Sequence, residues 1–161
     1  APDGAIVPVD HTPKLLAEGI VQHFGGSAEA FVCAYFAQER EMVAMCDFDL
    51  VGHPDLVRKF NLKHPYFDES AAWYRGELER TADAIAVSGK LVEVNTGAIA
   101  RGWLDDAYPS RAFRDLLRVR GVKFVLSSDA HRADGLAVGF DRFASAEDYV
   151  RPTFTEKGVA R

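Results

Sequence analysis

A chain of 161 residues is long enough for one domain and too short for two of ordinary size, so a functional site must be assembled within one core or shared with another chain. The composition, 48% hydrophobic and 27% charged, is that of a soluble globular protein, and no apolar run approaches the roughly 20 residues that cross a bilayer. A formal charge of -5 argues against the diffuse basic surface that neutralises nucleic-acid phosphates.

The opening segment, Ala1 to Asp10, has neither a charged leader nor an apolar core and does not read as a secretory signal. Thr12 followed by Pro13 is a helix start: the threonine oxygen caps free N–H groups, and proline at the first helical position lacks the donor that would go unpaired. Leu15, Leu16, Ile20 and Phe24 form its apolar stripe, and Gly25-Gly26 stops it. Ser27 caps a longer helix on which Phe31, Tyr35, Met42 and Cys46 recur near helical spacing, with Val32, Phe36 and Val43 beside them. The two cysteines, Cys33 and Cys46, fall in this one helix, about 20 Å apart at helical rise and beyond disulfide reach. Two reduced thiols suit a cytoplasmic location.

Short apolar runs then alternate with helices. Phe48 to Gly52, Lys90 to Asn95 and Lys123 to Ser127 read as buried strands. A helix from about Ser70 to Ser88, with Trp73, Leu78, Ala82 and Ile85 inward and Gly89 as its cap, separates the first two. Ser110 caps a second crossover helix, Arg111 to Arg120, and another is expected from about Ala133 to Ala144. This alternation predicts an α/β fold of parallel strands with crossover helices, forming one domain over residues 1–161.

Each apolar run ends in a polar cluster: Gly52-His53-Pro54-Asp55, Asn95-Thr96-Gly97 and Ser128-Asp129-Ala130-His131. In parallel α/β folds the C-terminal strand ends converge on the ligand site, so the three clusters are expected to face one pocket. Asp129 and His131 are two residues apart, and on extended chain both side chains project to the same side and bind one metal or two adjacent ones; His53 and Asp55 repeat the spacing. Imidazole and carboxylate without cysteine suit Zn, Mn or Fe, which supply hydroxide at neutral pH, a hydrolytic chemistry. Any one of these residues alone is more often a helix cap or a satisfied polar group.

Three stretches, Asp47 to Asn61, Leu91 to Gly97 with Arg101-Gly102 and Tyr108-Pro109-Ser110, and Ser127 to His131, resemble successive motifs of the polymerase-and-histidinol-phosphatase (PHP) family, in family order and closest to its histidinol-phosphatase branch. The similarity runs from about Ile6 to Gly139. The resemblance implies the C-terminal half of a distorted TIM-like (βα)7 barrel, without the His-x-His segment that opens the family's metal site. It implies metal ligation by His53, Asp129 and His131, with Asp129 and His131 catalytic, in a centre of two or three divalent ions. It makes Arg58, Arg101 and Asn95 candidates for substrate binding, with Asp55 and Ser128 supporting them; guanidinium matches phosphate bidentately. The activity so implied is metal-dependent hydrolysis of L-histidinol phosphate, a small phosphorylated substrate of histidine biosynthesis, in the cytoplasm and with no nucleic-acid or membrane partner. His11, His23 and His64 stand in no His-x-His arrangement and read as capping or surface residues. The rival expectations are a noncatalytic α/β module and a PHP-type nuclease or other phosphoesterase. Unpaired edges of a small parallel sheet lead us to expect self-association or pairing with a complementary half-barrel.

Overall fold

The computed structural model describes residues 1–143, 149–151, 153–155 and 158–160. Helix α1 (Pro13–Phe24) starts where the Thr12 hydroxyl accepts from the Leu15 N–H at 3.2 Å and stops at Gly25, whose φ of 60° only glycine adopts without cost. Helix α2 (Ala28–Met45) is capped by Ser27, which accepts from Ala30 N at 3.1 Å. Strand β1 (Leu50–Val51), helix α3 (Ala72–Ser88), strand β2 (Leu91–Asn95), the one-turn helix α4 (Gly97–Ala100), helix α5 (Arg111–Arg118) and strand β3 (Phe124–Ser127) follow. A short antiparallel pair, β4 (Thr153–Thr155) and β5 (Gly158–Ala160), closes the described chain.

The three central strands form a parallel sheet in the order β1-β2-β3, with Val51 opposite Val92 and Asn95 opposite Ser127. Parallel pairing requires both faces of the middle strand to be covered, and in β2 only Glu93 is not fully buried. The core behind the sheet joins Val32, Phe36 and Val43 of α2 to Tyr74, Leu78 and Ile85 of α3 and to Phe113, Leu117 and Phe124. Its centre is aromatic: the Phe36 ring meets Tyr74 edge-on at 5.9 Å and Phe113 at 6.3 Å.

The α/β alternation and parallel pairing match the sequence expectation, and four details differ. The first strand is two residues long, because only Leu50 and Val51 pair with β2. On α2 the buried face runs through Phe31, Val32, Phe36 and Val43, leaving Met42 and Cys46 exposed, and both cysteines are free. On α3 Tyr74 takes the innermost place and Trp73 is half-buried. The expected helix from Ala133 is absent: two isolated 3-10 turns, Ala133–Gly135 and Phe140–Arg142, flank Ala137 in the left-handed region at φ 57°. Neither turn buries a residue, so no packing rescues a segment interrupted by Gly135 and Gly139. The far end of that expected helix, Ala144, lies outside the described residues. Among the described residues no helix is long and apolar enough to cross a membrane.

Candidate active site at the strand ends

Because β1, β2 and β3 run in parallel, their C-terminal ends lie on the same side of the sheet. Two of the residues just beyond them, His53 (φ 25°) and Asp129 (φ 46°), have left-handed backbones. For residues other than glycine this costs about 1–2 kcal/mol and is concentrated at functional sites.

A hydrogen-bonded chain joins the three ends. Glu93, the one half-exposed residue of β2, accepts from the His53 backbone N–H at 2.9 Å and from the Asn95 amide at 3.1 Å through the same Oε2. The side chain of Asn95 also bonds to that of Asp129, and its Oδ1 accepts from Gly97 N at 2.9 Å. Arg101 grips Asp129 twice, Nη1 donating to the backbone oxygen and Nη2 to Oδ2, each at 3.0 Å. Gly97 makes this possible: a Cβ there would lie 2.5 Å from Arg101 Nη2. His131 Nε2 sits 3.4 Å from Asp129 Oδ1, with 78% of its side chain exposed. Burial pushes the Asp129 carboxyl up, but Arg101, Asn95 and His131 outweigh it and hold the group below the usual aspartate range. Arg101, Ser128, His131, Arg132 and Asp134 line a cavity of about 400 Å³ beside Asp129.

The structure thus brings Asp129, His131, Arg101, Ser128 and Asn95 together, with His53 tied in through Glu93 and through an edge contact with the Tyr108 ring at 6.3 Å. It changes the reason for some placements. Asp129 and His131 are neighbours because the chain turns at Asp129, not because it stays extended. Asp55 does not share a side with His53: it is fully buried, accepts from Ser110 N at 2.7 Å and lies 3.5 Å from Arg58. Burial raises its pKa although Arg58 and Ser110 oppose the shift.

Arg58 is neither an exposed helix residue nor a free clamp. It is 7% exposed, and its Nε donates to Glu69 at 2.7 Å. Burial works against its charge, and the Asp55 and Glu69 carboxylates more than restore it. Its Nη1 remains buried without a hydrogen-bond partner, as do Asp55 Oδ1 and the hydroxyls of Tyr74 and Tyr108. Asn95, a candidate for substrate binding, is wholly buried and spends its polar groups on Glu93, Gly97 and Asp129. Among the other histidines, His23 pairs with Asp3 at 2.7 Å, and His11 and His64 are exposed.

Two site residues escaped the sequence reading. Glu93 was legible in principle, as a carboxylate inside the apolar run Leu91-Val-Glu-Val94. Tyr108 stood in a quoted motif without a role; its place depends on paired backbone hydrogen bonds with Asn95, at 2.7 and 3.0 Å. The donor types His, Asp and Glu suit a divalent cation, but no group of three or more His, Cys, Asp or Glu capable of holding one is assembled among the described residues. Asp129 is instead neutralised by Arg101. The described residues are therefore not a complete metal site.

A Schizosaccharomyces pombe protein named "Probable histidinol-phosphatase" is 30% identical over 129 residues, covering 78% of this chain and 40% of its own length. The chain is a relative of the histidinol-phosphatases. The Deinococcus radiodurans histidinol-phosphatase relative, also named as probable, is 36% identical over 110 residues (65% of this chain, 35% of that protein). The Saccharomyces cerevisiae histidinol-phosphatase is 28% identical over 157 residues (84% and 46%). The fold agrees with the crystal structure of hisK, a candidate histidinol phosphatase from Listeria monocytogenes, at a TM-score of 0.77 and 20% identity over 88% of this chain and 53% of that one. The chain thus spans less than half the length of the curated histidinol-phosphatases it matches. No family model matches it.

Proposed function

We propose that this chain carries the late-strand portion of a phosphomonoesterase active site and that the substrate is L-histidinol phosphate. The observation that carries the reading is the Arg101-clamped Asp129 beside His131, opening onto a cavity lined by two arginines at the ends of parallel strands. In the reaction, water adds to phosphorus, the bond from phosphorus to the ester oxygen breaks, and the proton from water ends on the departing alcohol. Arg101 and Arg58, whose Nη1 makes no hydrogen bond although it lies 3.5 Å from Asp55 Oδ2, are the guanidinium groups assigned to the phosphate, whose charge develops during transfer. His131, exposed and beside a carboxylate, holds or moves a proton at Nε2. We assign the wider architecture to a partial (βα)7 barrel and the location to the cytoplasm. Divalent ions of the Zn, Mn or Fe type belong to this proposal as a shared site, with His53, Asp129 and His131 supplying some donors and others coming from outside the described residues; such ions supply hydroxide at neutral pH.

The test is phosphate release from L-histidinol phosphate by the product of the complete reading frame, with Asp129→Ala beside it. The expected result is turnover by the parent and a loss of at least about a hundredfold in the variant, the scale of removing a group that organises a charged transition state. Equal rates would end the assignment. That no three-donor cluster is assembled among the described residues favours a second reading, a noncatalytic module; metal near stoichiometry in the purified protein would count against it.

A further inference from the structure

The cavity beside Asp129 is lined by charges of both signs. Arg101 and His131 lie at the Asp129 end, Arg132 follows, and Asp134 is the one carboxylate among the lining residues Ala100, Arg101, Ser128, Ala130, His131, Arg132, Asp134 and Gly135. Asp134 stands on the 3-10 turn Ala133–Gly135, where Arg132 Nε approaches its Oδ1 at 3.3 Å. Both partners of that pair are largely exposed, with 83% and 73% of their side chains open to solvent, so the contact is weak and easily exchanged for a better one. A volume of about 400 Å³ suits a small organic phosphate and leaves room beyond the phosphate itself.

We infer that Asp134 is a specificity-determining residue that reads a cationic amine on the substrate, so that the pocket selects phosphomonoesters carrying an ammonium group over those that carry none. The inference rests on the phosphatase reading above. Arg101, with His131, meets the phosphate end beside Asp129, and Asp134 gives up its loose contact with Arg132 to receive the ammonium in a charge-assisted hydrogen bond. The assignment divides the cavity into a part that any phosphomonoester fills and a part that only an amino-alcohol phosphate uses.

The experiment measures kcat/KM of the full-length protein on L-histidinol phosphate and on p-nitrophenyl phosphate, which has no amine. In Asp134→Asn, an isosteric change at an exposed position, the ratio of the two values falls about tenfold, and Asp134→Glu restores part of it. Thermal unfolding of each variant checks the fold. A ratio that stays at the parent value, whether both activities persist or both fall together, overturns the role of Asp134 and leaves the phosphatase reading standing. A parent protein that hydrolyses neither ester overturns the phosphatase reading and this inference with it.

Discussion

Asp129 shows how much one turn residue can organise. Its left-handed backbone puts the main-chain oxygen and the carboxylate within reach of one guanidinium, and its other oxygen faces His131. Glu39 raises a different residue-scale matter. This carboxylate on α2 lies near Tyr35, whose hydroxyl donates to the Pro54 carbonyl at 3.3 Å, and its Oε2 is buried without a hydrogen-bond partner. Burial, with a smaller push from Asp55, raises its pKa to about 7 against the opposing effect of Tyr35. A carboxyl whose folded pKa lies above its unfolded value binds more protons when folded, so stability falls as pH rises from about 4.5 to about 7. Glu39→Gln is therefore expected to stabilise the fold at pH 8, by on the order of 2 kcal/mol, and the gain should fade as pH falls below 7. Chemical denaturation at pH 5 and pH 8 checks this; a gain independent of pH would mean that it does not come from ionisation of Glu39.

At the scale of elements, α2 and α3 packed on the sheet form the scaffold that fixes the strand ends. Phe36 is fully buried and touches the rings of Tyr35, Tyr74 and Phe113, so Phe36→Ala removes a large side chain where neighbours have little freedom to collapse. The expected cost is about 3–5 kcal/mol, read as a lowered denaturation midpoint; a loss below about 1 kcal/mol would show that the centre of the core lies elsewhere. Glu77 supplies the polar counterpart on α3, its two oxygens held at 2.6 Å by Arg40 of α2 and Arg80 of its own helix. Helix starts were legible because caps are local: Thr12, Ser27 and Ser110 each accept the expected N–H. The segment after His131 was not legible: a helix was expected from about Ala133, whereas helicity there depended on packing that the fold does not provide.

For the whole molecule, three parallel strands leave two sheet edges. No strand among the described residues covers the outer side of β1, and β3 has only the bridge from Phe124 to Tyr149. Val125, Leu126 and Ser127 are half-buried where a parallel strand is ordinarily covered on both faces. We expect the purified chain to self-associate or to pair with a complementary segment, giving a light-scattering mass above that of one chain; a monodisperse monomer would contradict this. The order of the three parallel strands and of the helices before the last strand, and the three polar clusters at the strand ends, were determined by the sequence, because caps and apolar runs act over a few neighbours. Tertiary structure alone decided that Glu93 joins His53 to Asn95, that Asp55 turns inward to Ser110 and Arg58, and that Arg58 is held by Glu69. Those contacts join residues as many as 55 positions apart, and they exist only once strand register and turn conformation have set the direction of each side chain.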